Sequence, residues 1–97
     1  MIIFGGYMST LEIKANILKV LAHPIRLQII EKLRTHDSLC VCKLNEDVNF
    51  SQSNLSQHLR ILRDSGILTA EKKGSWMHYS IKNRNILSIL DALESFN

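Results

Sequence analysis

Two cysteines one residue apart, Cys40 and Cys42, are the side chains of this sequence best suited to chemistry. As thiolates they are soft donors, favouring arsenic(III), antimony(III), cadmium, lead or zinc over hard cations. Their spacing is awkward within a continuous helix, where positions i and i+2 point about 200° apart. To share one ion, the helix carrying them must start late or unwind locally, and the loop-like stretch before Cys40 makes that feasible. A thiol near a helix N-terminus also has its thiolate favoured by the helix dipole. The same pair can instead be oxidised or persulfidated, or can be two small buried hydrophobes. Spacing alone leaves these readings open. His36, in the loop just before the pair, is the candidate for an extra ligand; solvent or an exogenous thiol is the alternative source.

The second set lies between Phe50 and Gly66. Ser51 suits an N-cap and Gly66 suits the left-handed residue that closes a helix. Leu55, Leu59 and Leu62 fall at i, i+4 and i+7, one apolar stripe. Opposite it stand Ser53, Ser56, Gln57 and Arg60, with Gln52 at the edge. Hydroxyls, an amide and a guanidinium can reach base edges and phosphates in a major groove. A polar face is also the default of any surface helix, so this face acquires meaning only from its neighbours.

Those neighbours follow in order. Ser9 and Glu12 have the capping-box form, and Leu11, Ala15, Leu18 and Ala22 follow at helical spacing. Pro24 fits the first turn of a second helix, Ile25 to Leu33. Its Ile25, Ile29, Ile30 and Leu33 face inward, while Arg26, Gln28, Glu31 and Lys32 stay wet. Thr35 to Ser38 reads as a loop. A third helix runs from about Cys40 to Asp47 with Val41, Leu44 and Val48 inward, and Asn49 and Phe50 turn into the reader helix. A short helix, a tight turn and a helix with a polar outer face make a helix-turn-helix pattern. After Gly66 the period changes to that of strands, Ile67 to Glu71 and Ser75 to Ile81, joined by Lys72-Lys-Gly-Ser75. Lys72, Lys73 and Ser75 then form a basic tip placed to lie along a phosphate backbone. Asn83 to Asn97 is a last helix, with Ile86, Ile89, Leu90 and Leu93 on one face. The fold class is mainly α with a small β-hairpin: five helices and a two-stranded wing.

Composition sets the bounds. At 97 residues the chain is one domain: a flexible leader, 1–8, and a winged helix-turn-helix unit, 9–97, with Met1 and Met8 both candidate starts. A net charge of +3 is compatible with nucleic acid but too mild to establish it. No apolar run approaches the ~20 residues of a membrane span. Two cysteines do not make a disulfide framework, which points to a reducing cytoplasm. His23 beside Pro24 helps the turn, His58 packs beside the leucine stripe, and His78 on the wing strand faces solvent or DNA. Trp76 packs on the hairpin. With no nucleophile placed beside an acid-base pair and no phosphate-cradling glycine loop, an enzyme is disfavoured. Leu11, Leu18, Ile86, Ile89 and Leu93 are more apolar surface than two terminal helices can bury in so small a monomer, so a homodimer is expected.

Four ordered segments resemble the ArsR/SmtB family of metal-responsive repressors. Leu21-Ala-His-Pro-Ile-Arg-Leu27 resembles the link between its first two helices, and Leu39-Cys-Val-Cys42 its metal-box core. Ser51 to Arg63 resembles its recognition helix, and Gly74-Ser-Trp-Met-His-Tyr79 the returning strand of its wing. The resemblance covers Ser9 to Phe96. It implies a homodimer, paired through first and last helices, that binds palindromic operator DNA and leaves it when an inducer binds Cys40 and Cys42. Ser38 and Lys43 stand where the box is often acidic, and Asn45 stands where some arsenic sensors carry a third cysteine. No cysteine precedes Cys40, against a four-thiolate cadmium site. No histidine follows Asn83, where only Asp91 and Glu94 remain, against the family's zinc site. Two thiolates fit As(III) or Sb(III) best. The rival readings are a redox or reactive-sulfur sensor on the same fold and a winged-helix protein-interaction module without inducer.

Overall fold

The computed structural model describes the backbone of residues 2–3, 6–7, 9–48 and 52–96, and the side chains of 9–46 and 54–96. The elements are β1 (Ile2–Ile3), β2 (Gly6–Tyr7), α1 (Thr10–Leu21), α2 (Pro24–Leu33), β3 (Leu39–Cys40), α3 (Val41–Val48), α4 (Gln52–Asp64), β4 (Leu68–Lys73), β5 (Trp76–Ile81) and α5 (Ile86–Leu93), followed by a 3-10 turn over Glu94–Phe96. In the segment expected as a leader, Ile2–Ile3 pairs antiparallel with Gly6–Tyr7. Residues 1, 4, 5 and 8 lie outside the described residues, as do the expected Asn49–Phe50 turn and Ser51 cap.

Local chemistry fixes the helix ends. The Glu12 amide donates to Ser9 Oγ at 3.1 Å and the Ser9 amide to Glu12 Oε1 at 3.2 Å, the reciprocal box that starts α1. Pro24 occupies the first turn of α2. Gly66 has φ +84°. Past it the Ile67 amide donates to Leu62 O and the Gly66 amide to Arg63 O, both at 3.0 Å, which is the Schellman closure of α4. The Asn85 amide donates to Asn83 Oδ1 at 3.0 Å, so residues 83–85 form a turn. For this reason the last helix starts at Ile86 rather than Asn83.

One core joins every layer. Ile29, Ile30 and Leu33 of α2, Leu44 of α3 and the stripe Leu55, Leu59 and Leu62 of α4 are wholly buried. Leu68, Tyr79 and Ile81 close it from the sheet and Leu90 from α5. Helix α1 buries Val20 and Leu21, with Ile17 partly covered. Its stripe Leu11, Ala15, Leu18 and Ala22 faces outward instead. Arg26, expected to be wet, is half-buried, because its guanidinium donates to Val20 O at 3.0 Å and answers a carbonyl at the α1 C-terminus.

The sheet differs from expectation in two ways. It has three strands, in the order β3-β5-β4, all antiparallel. Two-residue β3 is too short to leave a period in the sequence. The ladder also runs to the Lys73–Trp76 pair, so Lys72 and Lys73 belong to β4 and only Gly74 and Ser75 turn. Gly74 at φ +62° makes so short a loop feasible.

Leu59→Ala should lower the unfolding free energy by about 2–5 kcal/mol, the loss for a fully buried leucine. Gln57→Ala, on the exposed face of the same helix, should change it by no more than ~0.5 kcal/mol. Urea unfolding of the two variants checks the placement of α4; equal effects would refute it.

Candidate nucleic-acid interface and thiol site

Helix α4 lies over α2 and ahead of β4, with its leucine stripe beneath and a polar surface above. Ser56, Gln57 and Arg60 are exposed on that surface. Arg60 Nε stands 3.8 Å from Asp64 Oδ2. A long pair between exposed groups is worth little and yields readily to a phosphate or base. Gln52 and Ser53 lie in the first turn of α4, and their side chains are outside the described residues. On the wing Lys72, Lys73 and Ser75 are exposed. As neighbours on one strand, Lys72 and Lys73 point to opposite faces of the hairpin.

A polar cluster seats α4 on the first two helices. Arg26 Nε donates to His58 Nδ1 at 3.2 Å, and the His58 ring packs 4.5 Å from that of His23 at 55°. His23 Nδ1 in turn accepts the Ile25 amide at 3.2 Å and caps α2. Both rings therefore accept at Nδ1. Burial, then the charges of His23 and Arg26, push the His58 pKa below the ordinary imidazole value.

The cysteines straddle a change of backbone. Cys40 ends β3 and Cys42 is the second residue of α3, which starts one residue later than expected. The break removes the divergence that a continuous helix would impose. The Cα atoms are 5.3 Å apart and the sulfurs are joined as a disulfide. His36 does not join them: it is exposed, with Nδ1 3.0 Å from Lys32 O at the end of α2. Among the described residues no three His, Cys, Asp or Glu side chains form a group that could hold a metal. Asn45, one turn beyond Cys42, keeps Oδ1 out of solvent without a partner. Asp91 is engaged by Arg34 Nη1 at 2.9 Å, tying α5 to the end of α2. The donors thus fit a thiophilic ion only through the two sulfurs, once these are reduced. Sequence reasoning missed the position of His78. It is half-buried and directly opposite Cys40 in the β3–β5 ladder, rather than simply facing solvent or DNA.

A support helix, an exposed reader helix and a basic hairpin behind it define a winged helix-turn-helix regulator. Residues 23–70 match the bacterial regulatory protein, arsR family. The chain is 34% identical over 87 residues to an HTH-type transcriptional regulator of Methanocaldococcus jannaschii, covering 90% of this chain and 98% of that one. It is 39% identical over 72 residues to the arsenical resistance operon repressor of Bacillus subtilis, covering 74% and 69%. The crystal structure of the transcriptional repressor PagR of Bacillus anthracis superposes with a TM-score of 0.76 at 36% identity, covering 87% and 95%. The chain belongs to the ArsR family of transcriptional repressors; it is a regulator and not an enzyme. No described helix is long and apolar enough to cross a membrane.

The His58 shift carries a sign. A depressed folded value means that stability is complete above the unfolded imidazole pKa, near 6.5, and is lost as pH falls below it through the lowered value. The urea midpoint should therefore drop between about pH 7.5 and pH 5.5, and His58→Gln should drop less over the same range. An identical pH dependence in the variant would remove His58 from the account.

Proposed function

We propose that the chain is a homodimeric repressor that holds operator DNA with α4 and the wing. It leaves that DNA when Cys40 and Cys42, reduced in the cytoplasm, bind As(III) or Sb(III). The observation that carries this reading is the meeting of the two sulfurs at the β3–α3 break, on the helix that supports the reader helix. The identity with the arsenical resistance repressor of B. subtilis supports the class of ion. Ser53, Ser56, Gln57 and Arg60, with Gln52 at the edge, read bases or grip phosphate. Lys72, Lys73 and Ser75 hold the flanking backbone.

The dimer is supported by an apolar surface on the terminal helices. Leu11 is 77% exposed, Leu18 55%, Leu93 48% and Phe96 83%. Leu18 and Leu93 line one open apolar groove of about 150 Å³ between α1 and α5. Ile86 and Ile89 are already half-covered by the core, so the dimer face is narrower than the sequence suggests. A twofold pair would set two α4 helices about one DNA turn apart.

Two thiolates bound to one ion hold Cys40 and Cys42 at the distance that ion sets. Because Cys42 lies in the first turn of α3, the start of that helix moves with it. The movement passes along α3 toward α4; the expected relay residues Phe50 and Ser51, and the Val48 side chain, lie outside the described residues. Ion and DNA then bind with negative coupling, of the order of ~1–3 kcal/mol. The disulfide favours a second reading on the same residues, in which oxidation of the pair is the signal.

Anisotropy of labelled operator DNA under reducing conditions tests both readings. Arsenite should release the wild type, while Cys40→Ser and Cys42→Ser should bind DNA normally and stay bound. Release of the double variant would overturn the thiol assignment; release by oxidant or polysulfide but not arsenite would select the second reading. In the same assay Arg60→Ala should cost about 1–3 kcal/mol if the guanidinium is bidentate on a base. Lys72→Ala and Lys73→Ala should weaken all sequences alike and flatten the salt dependence.

A further inference from the structure

The seat of α4 is built from side chains that neither the DNA face nor the thiol pair uses. Arg26 of α2 joins two other helices there. Its Nη1 donates to Val20 O near the end of α1 at 3.0 Å, and its Nε donates to His58 Nδ1 on α4 at 3.2 Å. The His58 ring lies 4.5 Å from that of His23, at the α1–α2 link, and all three side chains are half-buried. Among the described residues, His23 and Arg26 are the charged or titratable groups that act on the His58 ring, and both disfavour positive charge on it. A guanidinium only donates and stays charged. An imidazolium also only donates. A proton on His58 Nδ1 therefore takes the lone pair that Arg26 had occupied and sets one cation against another across the same contact.

We propose that the Arg26–His58 contact is a proton-operated latch on the reader helix. With His58 neutral, the contact holds α4 in the orientation that fits operator DNA. A proton taken up from solvent at His58 opens the contact and lowers operator affinity, with no ion at the thiol pair. The proposal rests on the reading of α4 as the reader helix. The leucine stripe beneath α4 is non-directional and sets depth more than rotation. The Arg26–His58 hydrogen bond is directional, and its residue on α4 directly follows Ser56 and Gln57. Arg26 keeps Val20 O when the latch opens, so α1 and α2 stay joined while α4 is loosened. The seated His58 has its pKa lowered by burial and by its neighbours. The latch is thus closed above the ordinary imidazole pKa and opens as pH falls through the lowered value. Acid acts in the opposite direction on a histidine beside the duplex, where added charge tightens the hold on phosphate.

The test uses the full chain, reduced and without inducer, and a duplex selected from a random pool by binding at neutral pH. Anisotropy at constant ionic strength should show affinity falling at least about fivefold between about pH 7.5 and pH 5.5, the lower end of ordinary coupling. His58→Gln, whose amide can accept from Arg26 but does not titrate, should remove most of that fall, whatever its affinity at neutral pH. Histidine ring NMR should show the His58 pKa lowered further when the duplex is added, since linkage is reciprocal. Far-UV circular dichroism should be the same at both ends of the range. Wild-type affinity that stays level or rises in acid, or an equal fall in His58→Gln, would overturn the latch while leaving α4 as the reader. A His58 pKa raised by the duplex would also overturn it, placing the ring against phosphate. Loss of helical signal in step with affinity would overturn it as well, reducing the effect to unfolding of the whole chain. Failure of the wild type to select any duplex at neutral pH would overturn the reader helix and the latch together.

Discussion

The structure turns on a break in the backbone between Cys40 and Val41. On one side the chain is a strand, on the other a helix. Side chains two apart in a helix face away from one another. Only the change of geometry brings the two sulfurs together. The same break attaches β3 to the wing strand through the Leu39–Tyr79 and Cys40–His78 pairs. Any chemistry that alters the sulfur pair is therefore felt by two elements at once. One is the support helix α3; the other is the hairpin that follows the reader helix.

The reader helix is held by apolar packing and by one polar seat. Leu55, Leu59 and Leu62 give it depth, and the Schellman closure at Gly66 turns the chain directly into the wing. Arg26 links the α1 C-terminus to His58, fixing α4 against both N-terminal helices. A side chain that answers a helix carbonyl and an imidazole together sets orientation as well as stability.

Much of this was legible in the sequence where a long period or a strong local signal existed. The Ser9–Glu12 box, Pro24, Gly66 and the α4 leucine stripe each announced an element, and the structure contains them. The arginine at position 26 was misread because its partner His58 lies 32 residues away, beyond any local pattern. The third strand was invisible because two residues carry no periodicity. That omission hid the position of His78, which follows only from the pairing register of β3 with β5. His36, chosen for nearness in sequence, sits instead against the end of α2. Proximity along the chain was a poor guide to proximity across the sheet.

The central claim is that the sulfur pair and the DNA face share one equilibrium. Linkage makes that claim symmetric: if ion binding weakens DNA, DNA must weaken ion binding by the same factor. The direct measurement is the arsenite affinity of the reduced protein, free and saturated with operator DNA. The account predicts weaker arsenite binding to the DNA complex, by the factor through which arsenite weakens the operator. Equal arsenite affinity in the two states would contradict it.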